Sequence, residues 1–203
     1  MGRLTHRTSA GWTYFVTTKC WGNIAIFQVK ENADILIAKL LEYRDQRNYL
    51  LHDFVLMPNH LHLILTPGDS TSLEKAMQLI KGGSSHEIHR VKGGHSPIWQ
   101  SGFHESRVQD HDDYSAKANY IQFNPVVAKL VAQPLDWPYG SAGGNFQMDP
   151  FPQGLKPYWA QQQDVGAEAP TPAKVATFTE ARAKINSPET PELKPRPPKE
   201  HHP

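Results

Sequence analysis

The stretch "FVLMPNHLHLIL", Phe54 to Leu65, decides how the chain is read. Two apolar runs meet at Pro58-Asn59, turn chemistry that makes them the arms of a β-hairpin. Side chains alternate along a strand, so in the second arm Leu61, Leu63 and Leu65 share one face and His60 and His62 the other. The leucines face a core. A strand buried on both faces would fill the remaining positions with Val, Ile or Leu, so two imidazoles there call for a reason. By strand rise they stand roughly 7 Å apart, close enough for both to lean onto one ion.

Outward from the hairpin, strand-like and helix-like patterns alternate. "WTYFVTTKCW" is rich in β-branched and aromatic residues and gives a first strand over residues 12 to 18. "VKENADILIAKLLEYRDQRNY" places Ile37, Leu40 and Leu41 at helical spacing. After the hairpin, "STSLEKAMQLIKG" starts a second helix with Ser70, Thr71 or Ser72 as N-cap, and Gly82-Gly83 is expected to end or interrupt it. "PIWQSGFHESRVQD" reads as a fourth strand, and "DDYSAKANYIQF" as a third helix opened by Asp110 or Asp112. Pro125 disfavours helical backbone at Asn124, so that helix is expected to stop there and a new one to begin at "PVVAKLV". The class is α+β: a ferredoxin-like antiparallel sheet covered by helices, βαββαβ plus a C-terminal helix.

The 203 residues suffice for one domain, read as residues 1–145, with chain to spare. Most of the seventeen prolines fall at the C-terminal end. Residues 164–203 hold Phe178 as their single aromatic and are expected to be disordered, because they cannot bury enough apolar surface to offset the entropy of ordering. Residues 146–163 read as an extension fastened to the domain surface by Phe146, Phe151, Tyr158 and Trp159. The single Cys20 closes no internal disulfide, which points to a reducing, cytoplasmic setting. No run of about 18 apolar residues spans a bilayer, so no membrane partner is expected. A formal charge of +1 does not advertise a nucleic-acid binder.

Spacing alone does not turn the imidazole pair into a metal site, since two strand histidines on a polar face are often simply hydrogen-bonded or solvated. The third helix adds partners. Tyr120 and Asn124 are four apart and share the face that must pack on the sheet. Asn124 offers a carbonyl oxygen to an ion held by His60 and His62, and Tyr120 a phenol beside it. A phenol, with a reference pKa of about 10, needs a nearby cation to act as a nucleophile, and the same cation polarises a phosphate. Two plainer readings stand beside this one: Tyr120 as a core aromatic, and Asn124 as the cap of the next helix.

Together "VLMPNHLHLIL", "IWQSGFHESRVQDHDDYSAKANYIQFNPVVAKLV" and "DWPYGSA" resemble the REP-associated tyrosine transposases, relatives of the single-tyrosine transposases of small bacterial insertion sequences. The likeness runs from about Trp12 to Ala142. It implies the ferredoxin-like fold, binding of single-stranded or hairpin DNA such as REP-like palindromes, and cleavage through a 5′-phosphotyrosine link with Mg or Mn as the metal. It makes His60 and His62 the metal-binding pair, Asn124 a third metal-binding residue and Tyr120 the nucleophile. It allows a monomer or a homodimer. One departure stands out: where the family shows Arg and Gly after Asn-Pro-Val, this chain has Val127 and Lys129.

For DNA contacts, "KGGSSHEIHRVKGGH" gathers Lys81, His86, His89, Arg90, Lys92 and His95 with Glu87 as its one acid, a local positive patch or else a solvated loop. Trp99, Gln100 and Arg107 fall in the family-like block. Trp99 either stacks a base or belongs to the core. Two rivals to the transposase remain at this stage. One is a domesticated DNA-binding protein with weak or no catalysis, and the other a metal phosphodiesterase using water as nucleophile.

Overall fold

The computed structural model describes residues 11–153 and Leu155. Strand β1 (Tyr14–Lys19) leads through two short 3₁₀ turns to helix α1 (Lys30–Asp45). The hairpin strands β2 (Tyr49–Met57) and β3 (His60–Pro67), helix α2 (Leu73–Lys92), strand β4 (His104–Arg107) and helix α3 (His111–Val127) follow. The sheet order is β2-β3-β1-β4, with every neighbouring pair antiparallel. This is the ferredoxin-like arrangement expected from the sequence. No described helix is long and apolar enough to cross a membrane. Tyr158, Trp159 and the Pro-rich stretch 164–203 lie outside the described residues.

Strand alternation sorts the core into two layers. Leu61, Leu63 and Leu65 of β3 join Val16, Leu51, Phe54 and Leu56 in the larger cluster, closed by Leu36 and Leu40 of α1 and Met77 and Ile80 of α2. The opposite face carries Ile64, Val55 and Met57, covered by Ala118 and Ile121 of α3. Ile121 is fully buried, which contributes about 2 kcal/mol to holding α3 in place. His60 and His62 have the parity of Ile64, so they lie on the α3 side of the sheet.

The outer edge of β2 is not left open, as an unpaired strand edge would invite association. Leu56 donates its N–H to Tyr139 O at 2.8 Å, Phe54 N–H to Ser141 Oγ at 3.1 Å, and Leu51 N–H to Asp149 Oδ2 at 2.7 Å. Trp137 Nε1 donates to Leu56 O at 3.0 Å. The "DWPYGSA" stretch is thus a cover for the β2 edge, and the Arg44–Asp149 ion pair at 2.7 Å fastens the chain that follows it to α1. Phe146 packs against Phe54, with ring centroids 5.3 Å apart.

Three local expectations are corrected. Helix α2 neither ends nor breaks at Gly82-Gly83 but runs on to Lys92. The reason is tertiary: a Cβ on Gly83 would stand 2.2 Å from Tyr43 Oη, so the glycine lets α1 and α2 approach. Helix α3 likewise passes through Pro125 to Val127. Proline forfeits one hydrogen bond there, in the last turn, and Pro125 is buried in return. The fourth strand shrinks to His104–Arg107, because the chain before it dips Trp99 into the core and turns at Gly102, φ 72°. Lys129 sits at φ 59°, backbone that favours the glycine the family resemblance led one to expect at that position.

Candidate active site

Each imidazole is held from behind. Thr17, cross-strand partner of His62, has its hydroxyl 2.7 Å from His62 Nδ1. His60 Nδ1 donates to Asn59 Oδ1 at 2.6 Å, and Asn59 in turn donates from Nδ2 to Asn23 Oδ1 at 2.9 Å. In the tautomer whose Nδ1–H donates to Thr17 Oγ1, the lone pair of His62 lies on Nε2. That nitrogen is buried and has no hydrogen-bond partner among the described residues. The His60 and His62 rings meet edge to face with centroids 4.8 Å apart.

Burial sets the protonation state. Desolvation, with the charges of His60 and Lys19 adding to it, pushes the pKa of His62 down to about 3. His60 is lowered for the same first reason, partly offset by a hydrogen bond with the Asn124 side chain that favours the protonated ring. Both rings are therefore neutral near pH 7, the form that ligates metals. A buried ring nitrogen with a free lone pair, its other nitrogen anchored by a hydroxyl, is the arrangement of a metal-ligating histidine and its outer support. The residues present fit a divalent cation as two imidazoles and a carboxamide. Among the described residues no three His, Cys, Asp or Glu side chains cluster as a richer set.

Helix α3 delivers the other two groups. Its N-cap Asp110 accepts from Asp113 N at 2.9 Å, fixing where the helix starts and so which residues face the sheet. One turn apart, Tyr120 and Asn124 project toward the imidazoles. The Tyr120 ring is 5.2 Å from that of His62 and 5.9 Å from that of Phe15, edge-on to both, and is 37% exposed. The helix is tied down between them: Gln122 Nε2 donates to Asp53 Oδ2 at 3.1 Å, and Ser141 also hydrogen-bonds Asp53. Burial raises the pKa of Asp53 to about 6, moderated by those two donors.

His60, His62, Tyr120 and Asn124, which span 65 positions of sequence, thus meet in one place. A family model for IS200-like transposases matches residues 23–124, which covers the imidazole pair and ends on Asn124. The chain belongs to the IS200-like transposase family. A Haemophilus influenzae protein named as a candidate REP-associated tyrosine transposase is 29% identical over 108 residues, 48% of this chain and 61% of that one. The chain thus spans about three fifths of that relative's length. A solved REP-associated tyrosine transposase bound to a REP hairpin superposes with a TM-score of 0.61 at 24% identity, over 74% of this chain and 92% of that one. At that identity the superposition speaks for the fold.

Of the six residues read as DNA contacts, the three on α2 lie away from this site. Lys81 donates to the Gln100 and Gly102 carbonyls, Arg90 is paired with Glu87 at 2.6 Å and Lys92 with Glu31 at 2.5 Å. All three lie on α2, which packs on the sheet face opposite the imidazoles. His86 and His89 lie on α2 as well, so most of that patch is helix and not loop. Trp99 is 8% exposed, packs 5.0 Å from Phe27 and donates from Nε1 to Ser84 Oγ, which uses its ring in the core and leaves no face for a base. The Arg107 guanidinium lies 3.7 Å over the Trp12 ring. Gln100 sits beside the end of β1, its N–H donating to Lys19 O at 2.9 Å. Thr17 and Asn59 escaped the sequence reading, because nothing in "FVTTK" sets Thr17 apart from Thr18 and Asn59 read as turn chemistry alone.

Proposed function

We propose that this chain is a metal-dependent DNA nickase and strand transferase that acts on single-stranded or hairpin DNA, REP-like palindromes included. The observation that carries the reading is the unpartnered His62 Nε2 with the Tyr120 ring 5.2 Å from its imidazole, in the same chain. A divalent cation, Mg or Mn, held by His60, His62 and Asn124 would act as a Lewis acid on the scissile phosphate. Tyr120 Oη attacks the phosphorus, its proton passing to solvent, and the bond from phosphorus to the 3′ oxygen breaks. The electron pair leaves with that oxygen, which ends as a free 3′-hydroxyl, while the 5′-phosphate stays on Tyr120. Rejoining runs the same exchange backwards, with a 3′-hydroxyl as attacker and the phenol as leaving group. Thr17 and Asn59 keep the imidazoles oriented, and Asp53 with Gln122 holds α3 at its seat. The proximity of Tyr120 to its own chain's imidazoles supports chemistry within one chain.

The test is incubation with Mn and a panel of labelled hairpins carrying single-stranded flanks. The reading expects a denaturation-resistant protein–DNA adduct that Tyr120→Phe lacks while still binding the hairpin, and that the double change His60→Ala, His62→Ala also lacks. Nicked DNA without adduct, unaffected by Tyr120→Phe, would assign the attack to water.

A further inference from the structure

Among the described residues, the sheet face that bears the imidazoles is covered over half its width. Helix α3 packs on β2 and β3. Over β1 and β4 the same face presents Phe15 and Thr17, half-buried, and Lys19, His104 and Ser106, exposed. Lys19 is the register partner of His60, and Thr17 stands between His62 on one side and His104 on the other. The Lys19 ammonium has no hydrogen-bond or ion-pair partner among the described residues, whereas Lys81, Arg90 and Lys92 are all engaged.

Displacement at phosphorus keeps the attacking and leaving oxygens roughly in line. Tyr120 comes from the α3 side, so the oxygen in line with it on the far side of the phosphorus, the leaving 3′ oxygen, would face away from α3 toward β1, where Lys19 stands. We infer that Lys19 grips the scissile phosphate from the open half of the sheet, as a contact to the reacting group. This rests on the proposed nicking reaction and adds a residue to it. The strand being cut lies across β1 and β4, not along α2.

The experiment measures binding in EDTA, so that it reads the protein's own charges. A hairpin with a single-stranded flank is titrated at several salt concentrations against wild type, Lys19→Ala, Lys19→Arg and a control, Lys39→Ala, whose residue pairs with Glu42 on α1. A second set of oligonucleotides carries one uncharged methylphosphonate each, stepped along the flank. Lys19→Ala is expected to weaken unmodified DNA about tenfold and to lower the log–log salt slope by about 0.7, as for one single-strand phosphate contact. Lys19→Arg and Lys39→Ala should keep both. At one methylphosphonate position the Lys19→Ala defect should vanish, and that position should be the phosphate nicked in Mn. A defect that persists at every position, or no defect at all, overturns the role of Lys19 and leaves the nickase standing. Wild type that binds none of the DNAs overturns both.

Discussion

The hydroxyl of Thr17 lies 2.7 Å from Nδ1 of His62 across the β1–β3 ladder, and as acceptor from that nitrogen it leaves Nε2 of the ring free to ligate. Losing the anchor frees the imidazole to rotate or to change tautomer. Outer partners of this kind are worth about 10- to 100-fold in metal affinity. Thr17→Val keeps the shape and the β-branched strand preference, so it should weaken Mn binding by about that factor in calorimetry while the thermal midpoint moves little. Unchanged affinity would remove Thr17 from the site.

The imidazoles also fix how the metal-free protein responds to acid. His62 titrates at about 3 when folded against a reference value of 6.5, so the unfolded chain binds more protons throughout that window. Stability therefore falls as pH drops from 6.5 toward 3, by about 1.4 kcal/mol per unit from this residue alone. Denaturant titrations at pH 7 and pH 5 should show a smaller loss in His62→Gln than in wild type, by about 2 kcal/mol. Equal losses would mean that His62 is not desolvated.

Asp53 works in the opposite sense. Its folded pKa of about 6 lies above the reference 3.8, so its burial favours the protonated form, and the stability this gives at low pH is lost as pH rises through 6. Asp53→Asn should then be more stable than wild type at pH 8, by about 3 kcal/mol at most, with the two converging near pH 4. If the amide variant proves less stable at pH 8, the carboxylate is better satisfied by Ser141 and Gln122 than its burial implies.

Adjacent glycines in α2 should respond with opposite signs. A methyl group on Gly82 would meet open space, with nothing within 4 Å, so Gly82→Ala should stabilise by up to about 1 kcal/mol through helix propensity. At Gly83 the same change drives a methyl into the Tyr43 ring and should cost about 1–3 kcal/mol. Thermal melts of the two single variants, and of Gly83→Ala combined with Tyr43→Leu, check this. The pair should cost less than the sum of its parts.

The hairpin and the order of elements were legible because local chemistry and global fold agree there: Pro58-Asn59 turns, the leucines alternate and Asp110 caps. Sequence failed where a contact distant in the chain overrides local preference. Gly82-Gly83 looks like a stop until Tyr43 is brought against it, and Pro125 looks like a break until it falls buried in a last turn. That His60 and His62 share a strand face, and Tyr120 and Asn124 a helix face, was legible from periodicity, which depends only on spacing. The surface cations were not, because pairing with Glu31, Glu87 or a backbone carbonyl depends on which face of the fold each one reaches. Lys19 shows the converse, a lone lysine at a strand end that only the sheet register sets beside His60.

The most direct measurement of the central claim is mass spectrometry on protein incubated with Mn and a cleavable hairpin, then digested with protease and nuclease. The account predicts a nucleotide 5′-phosphate linked to the peptide that contains Tyr120, in wild type and not in Tyr120→Phe. A nucleotide carried on any other residue, or cleaved DNA with the Tyr120 peptide unmodified, would contradict it.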